Sequence, residues 1–222
     1  MGEKRSYGQY CTVARALDVV GERWTLLLVR ELLTGPKRFK DLLAGLPGVG
    51  TNLLAARLKS LAGHGVVRRT TLPPPAGSDV YELTELGRAL EPVVLSLSRW
   101  GSRLVEEEPR DGDDVRPAWA AMALRSLFEP EAGCSLERYE FRIDGETFHL
   151  RIEGGAVETR QGAADDPDVV VSGGVGTFMA LTAGRLTPEG ALESGRIRIE
   201  GARDGDAVAR CLRMLGSATA TV

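Results

Sequence analysis

A chain of 222 residues and 23.8 kDa, 43% hydrophobic and 27% charged, is long for one domain and has material for two hydrophobic cores. Its opening MGEKRSYGQY lacks the apolar stretch of a secretory signal, and no apolar run approaches the roughly 18 to 20 residues of a bilayer span, so the expected place is the cytoplasm, without membrane insertion. Cys11, Cys134 and Cys211 are odd in number and far apart, and His64 and His149 are the two histidines, a pattern that excludes a disulfide framework and a zinc site.

The net charge of −3 is unevenly spread: residues 1 to 109 carry 15 Lys and Arg against 12 Asp and Glu, whereas residues 110 to 222 carry 13 against 19. The sign changes at EEEPRDGDDVRP, 106 to 117, which is acidic, holds two prolines and has Val115 as its single hydrophobic residue. Such a segment cannot pack a core and reads as a solvated linker. The expected division is therefore a domain over 1–108, a linker over 109–117 and a second domain over 118–222.

In chain order, Leu17 and Val20 lead a first helix to a break at Gly21. Trp24, Leu27, Leu28 and Leu32 recur at helical spacing until Gly35-Pro36 stops the run. RFKDLLAGL makes a third helix, closed at Pro47-Gly48. A fourth begins near Gly50 or Thr51, buries Leu54, Leu58 and Leu61, and ends at Gly63 or Gly65. VVRRTTL and DVYEL read as two strands of a hairpin with PPPAGS at its tip, after which Thr84 is expected to cap one long helix from Glu85 to about Glu108.

Helices followed by a two-stranded wing predict a winged helix-turn-helix. With its leucines inward, the fourth helix turns Asn52, Ala55, Ala56 and Lys59 outward, small groups that fit a major groove beside an amide and an ammonium able to donate hydrogen bonds. Arg68 and Arg69 lie on alternate faces of the following strand, so at least one should reach a phosphate, a contact that positions without specifying sequence. Arg38, Lys40 and Thr51 complete the candidate DNA-binding set. The expected partner is double-stranded DNA.

The segments ALDVVGERWTLLLVRELLTGPKRFKDLLAGLPGV, LLAARLKSLAGHGVV, YELTELGRALEPVV and RWG, together with Cys11, resemble the HxlR-type winged-helix transcriptional regulators, relatives of the MarR group. The resemblance covers nearly the whole first half. It implies a homodimer joined through its first and last helices, with two recognition helices on a pseudo-palindromic operator. Leu86, Leu90, Val93, Val94, Leu97 and Trp100 give the last helix more apolar surface than one small domain buries alone. The alternative is that the second domain covers that stripe. Cys11 falls where several such regulators carry a redox-responsive cysteine; against this, an unpaired cysteine is more often a small buried hydrophobe, and Cys11 reads as structural or incidental first.

The second half changes texture. PAWAAMALRSLF is helical, LERYEFRIDGETFHLRIEGGAVETRQG reads as three alternating strands turning at Asp144-Gly145 and Gly154-Gly155, and PDVVVSG is a fourth strand. GTFMALTAG and TPEGALESG are short helices, the latter with Thr187 as N-cap, RIRIEG is a fifth strand, and DAVARCLRML closes with Val208, Leu212 and Leu215 at helical spacing. The expected fold class is α+β throughout: a winged helix-turn-helix domain, then a five-stranded sheet covered by helices. This second pattern is similar to the sterol-carrier-protein domain, which implies a tunnel for lipid-like molecules lined by Trp119, Phe141, Phe148, Phe178, Met179 and Leu181; the same residues would also serve as an ordinary core.

No enzyme is expected, and no cofactor: His149 has no paired nucleophile in the sequence, no GxxxxGK loop is present, and Asp165, Asp166 and Asp168 read as a solvated turn. Two readings remain, a DNA-binding regulator responsive to an apolar ligand, and a lipid-carrier or dimerisation module whose winged helix is vestigial or redirected.

Overall fold

The computed structural model describes residues 6–73, 77–105, 110–128 and 136–216. The chain divides into two compact units, Met1–Val94 and Leu95–Val222.

The first unit opens with α1 (Thr12–Val20), which ends where the Gly21 N–H donates to the Leu17 carbonyl at 2.9 Å. Trp24 then takes a left-handed backbone, φ 77°, unusual for a large residue, and turns the chain into α2 (Thr25–Leu33). Next come α3 (Phe39–Gly45) and α4 (Thr51–Gly63). Their apolar residues recur at three and four positions, and Leu28, Leu32, Leu42, Leu54, Leu58 and Leu61 converge on one core. The hairpin of β1 (Val67–Thr71) and β2 (Asp79–Leu83) seals it with Val67 and Leu83, which face each other in the register. Lys37 exchanges both backbone hydrogen bonds with Tyr81, adding a one-residue third strand that fixes the hairpin to the α2–α3 turn.

Thr84 caps a helix as expected, its hydroxyl accepting from the Gly87 N–H at 3.2 Å, but that helix is one turn, α5 (Glu85–Arg88). The expected continuous helix to Glu108 is broken at Ala89-Leu90, and α6 (Glu91–Ser102) starts afresh. Pro92 is the reason: in an unbroken helix it would have no N–H for the Arg88 carbonyl and its ring would strike it, whereas in a first turn that N–H is not needed. Residues 106 to 109, with the acidic run, lie outside the described residues, as do 74 to 76 of the hairpin tip.

The second unit, beyond the end of α6, contains α7 (Pro117–Leu127), β3 (Glu137–Ile143), β4 (Glu146–Glu153), β5 (Ala156–Gln161), β6 (Val169–Gly173), α8 (Val175–Thr182), α9 (Pro188–Glu193), β7 (Ile197–Ala202) and α10 (Gly205–Leu215). Both tight hairpins are made by consecutive positive-φ residues, Asp144-Gly145 and Gly154-Gly155, whose twist matches the strands they join. The sheet order is β5-β4-β3-β6-β7; β6 runs parallel to β3, and the other pairs are antiparallel. Alternate residues Tyr139, Phe141, Phe148, Leu150, Val169 and Val171 point to one face and meet Leu124, Phe178, Leu181, Ala191 and Cys211 from the helices. The other face carries Arg142, Arg151 and Arg198.

Asp168 corrects the reading of 165 to 168 as a solvated turn. Its carboxylate is buried, accepts from the Arg138 N–H at 2.7 Å and pairs with the Arg203 guanidinium at 3.0 Å, while its carbonyl accepts from the Arg203 N–H. A charge removed from water in this way is held by partners on both sides of the β6 entry rather than by solvent.

Candidate nucleic-acid interface

The candidate interface is built on α4. Leu54, Leu58 and Leu61 are buried in the core, and on the outer side Thr51, Asn52, Ala55, Ala56 and Lys59 are all exposed, as the spacing requires. No side chain on that outer face is larger than lysine, so the helix can approach a flat or grooved surface closely.

What holds α4 at its angle is Arg57, which flanks this face. Its Nε donates to the Arg23 carbonyl at 3.1 Å and its Nη2 to the Glu22 carboxylate, tying the helix to the α1–α2 junction. Arg23 in turn stacks over the Trp24 ring with its guanidinium carbon 5.2 Å from the ring centre. The sequence reading missed Arg57. Its position between Leu54 and Leu58, on the edge of the apolar stripe, was the available signal.

The wing arginines are both exposed, not one alone. Each is already occupied. Arg68 Nε donates to Glu82 at 2.7 Å, and Arg69 Nη2 donates to Asp79 at 2.5 Å. Asp79 also accepts from the Thr71 hydroxyl at 2.9 Å. That hydroxyl and the Arg69 guanidinium hold the Asp79 carboxyl below the usual carboxylate range, and Asp79 raises the Arg69 guanidinium in return. Lys40 and Lys59 are exposed and have no ion-pair partner among the described residues; Arg38 is half-buried at the start of α3, where its N–H donates to Asp41. Free cation is thus concentrated on the helices, and the wing is locally neutral. Asp79 and Glu82 were absent from the sequence reading, although counting outward from the hairpin tip pairs position 68 with 82.

Cys11 is exposed, which corrects its reading as a small buried hydrophobe. It stands at the N-terminus of α1, its carbonyl accepting from the Arg15 N–H at 2.9 Å, while the Arg15 guanidinium pairs with Asp18 at 3.7 Å. The segment before it is tied to α1 at Asp18, whose carboxylate accepts from the Ser6 hydroxyl at 2.8 Å and the Tyr7 N–H at 2.9 Å. Cys211 is the opposite case, fully buried, and burial pushes its thiol up to about 12.

The candidate ligand-site residues enter the core of the second unit. Phe141, Phe148, Phe178 and Leu181 are buried; Phe141 meets Phe178 edge to face at 5.8 Å and Phe128 at 6.2 Å. Met179 is packed against this cluster and partly exposed. Trp119 is half-buried with the Arg116 guanidinium 5.8 Å from its ring centre. Phe141, Phe148, Phe178 and Leu181 belong to one apolar core against which Met179 packs, and Trp119 is not among the residues of that core. Among the described residues no cluster of His, Cys, Asp or Glu is placed to hold a metal ion, and no helix is long and apolar enough to cross a membrane.

Residues 19–109 match the model of the HxlR-like helix-turn-helix family, and residues 124–205 that of the SCP-2 sterol transfer family. Over 101 residues the chain is 35% identical to an uncharacterised HTH-type transcriptional regulator of Synechocystis sp., covering 46% of this chain and 75% of that protein. It is 36% identical to the HTH-type transcriptional regulator YodB of Bacillus subtilis over 91 residues, covering 41% and 81% respectively. The solved structure of the reduced form of YodB matches 46% of this chain and 100% of that one at 33% identity, with a TM-score of 0.38.

Proposed function

The chain belongs to the HxlR-like helix-turn-helix family of transcriptional regulators, and from that premise we propose that it binds a pseudo-palindromic operator as a homodimer and answers to an apolar small molecule held by its second unit. In this reading residues 1–108 bind DNA and dimerise, 109–117 link, and 118–222 take the ligand.

The observation that carries the reading is the exposed face of α4, small at Ala55 and Ala56, polar at Asn52 and Lys59, and buttressed by leucines behind. A single such helix contacts too few bases for useful discrimination, and a two-fold pair reads half-sites about 34 to 36 Å apart. Dimerisation is supported by apolar side chains that the chain leaves in water: Val13 and Leu17 on α1, and Val93, Leu97 and Trp100 at one-turn spacing on α6. The ligand is supported by the match of residues 124–205 to a sterol-transfer family and by the helix-covered apolar sheet face. Coupling needs only a modest preference of ligand for one dimer geometry, since a difference of about 1.4 kcal/mol changes operator affinity tenfold.

The test is a gel shift with the full chain and the DNA upstream of its own gene at low salt, together with sedimentation of the free protein. A retained two-fold complex and a dimer are expected. Failure to retain that DNA would remove the operator reading, and native mass spectrometry of the purified protein shows whether a lipid-sized molecule travels with it.

A further inference from the structure

The ion pairs on the wing raise a question that the fold alone does not answer. Arg68 and Arg69 sit on opposite faces of the hairpin, and each meets a carboxylate on its own face. Glu82 is the direct cross-strand partner of Arg68; Asp79 is diagonal to Arg69, which itself faces Tyr81. Opposite charges at these positions are within reach of each other in any antiparallel pair. The arginines are 65% and 64% exposed at their side chains and Asp79 is 53% exposed, so the Arg69–Asp79 pair is screened by water and adds little to folding, whereas Glu82 is 16% exposed beneath Arg68.

We infer that Asp79 and Glu82 occupy the wing arginines in the place of DNA phosphate, so that DNA engages Arg68 and Arg69 only by displacing these carboxylates. This rests on the DNA-binding reading above and adds to it residues that set affinity without touching DNA. A carboxylate and a phosphate oxygen ask the same of a guanidinium, a charge-assisted hydrogen bond from a fork of N–H groups. While Asp79 accepts from Arg69 and from Thr71, and Glu82 from Arg68, the wing presents no net positive charge at these positions. A phosphate approaching either arginine meets a fixed negative charge beside it. The consequence is an interface whose sequence-independent attraction is held down on the wing, leaving Lys40, Lys59 and the α4 face to carry more of the binding.

Phosphate contacts are independent of sequence, so a mixed-sequence 30-base-pair duplex is an adequate probe, followed by fluorescence anisotropy with the full chain across a salt series. Asp79→Asn and Glu82→Gln remove the charge and keep the shape. Each variant is expected to bind about two- to fivefold tighter at low salt, the equilibrium weight of an exposed ion pair, with a salt slope steeper by up to about one per freed contact. The decisive arm is Asp79→Asn in an Arg69→Gln background, where the gain should fall below about twofold because no arginine is left to release. Equal gains in both backgrounds would mean that only net charge matters and would overturn the inference, as would unchanged affinity for both single variants. If the unaltered chain binds no duplex at low salt, the DNA-binding reading falls and takes this inference with it; if it binds and the variants behave like it, the inference alone falls.

Discussion

A β-carbon on Gly87 would stand 2.1 Å from the carbonyl oxygen of Val66, closer than any real contact allows. That oxygen accepts from the Thr84 N–H at 3.1 Å, so the start of α5 is seated directly on the strand that leaves α4. Gly87→Ala cannot be absorbed by a side-chain movement, because the obstacle is backbone. We expect a loss of about 2 to 3 kcal/mol in urea unfolding of the full chain, the usual size of an overpacking penalty. Duplex affinity should fall with it, since the shift moves the wing.

Arg57 gives a second expectation. Arg57→Ala removes two hydrogen bonds between α4 and the α1–α2 junction without touching the outer face of α4. Stability should drop by about 1 to 2 kcal/mol, and discrimination between an operator and a mixed-sequence duplex should narrow, because a helix free to tilt reads bases less well. Arg57→Lys cannot reach both acceptors at once and should restore only part of the discrimination in paired binding curves.

Cys11 and Cys211 differ by burial, and alkylation reads the difference. At pH 8 iodoacetamide should label Cys11 in the native protein and spare Cys211, as seen by peptide mass spectrometry. The sign for Cys211 follows from its raised thiol: the protonated form is favoured in the folded state, so its contribution to stability is complete below the ordinary thiol value of 9.0 and is lost as pH rises toward about 12. Denaturant should expose Cys211 to the reagent.

Asp168 supplies a fourth. Asp168→Ala leaves the Arg138 N–H and the Arg203 guanidinium without their acceptor at the β6 entry. The second unit should lose about 2 to 4 kcal/mol, measurable as earlier amide exchange of its β3–β7 sheet in peptide mass spectrometry, while the helix-hairpin unit keeps its own exchange behaviour.

Much of this architecture was legible in the sequence because it is local. Leucines at three and four positions place α4 and its outer face, paired positive-φ turns place the β3–β5 meander, and Thr84 and Thr187 cap the helices they were expected to cap. The overlong last helix was a misreading of evidence already present, since Pro92 forbids it. The rest depends on pairing across the chain. Nothing in the run around 165 distinguishes Asp168 from its neighbours until β3 and β7 bring Arg138 and Arg203 to it. Arg68 and Arg69 looked free because their carboxylates stand 14 and 10 residues away, visible only once the hairpin is registered. Cys11 was misjudged for the same reason, since burial is a property of what folds over a residue.

The parallel pairing of β3 with β6 also orders events in time. The helix-hairpin unit has every strand in hand once Leu83 exists, but the five-stranded sheet waits for β6 to return to β3 and for β7 to add to β6. At a synthesis rate of about 5 to 20 residues per second, the stretch from Leu95 to Ala202 takes roughly 5 to 20 seconds to make. From Gln161, where β5 ends, until β6 is made, the β3–β5 meander has one edge of β3 open, and its apolar face waits for α8, α9 and α10 in turn. A nascent chain therefore carries a finished helix-hairpin unit ahead of an unfinished sheet, and its exposure to aggregation lies between the third strand and the seventh.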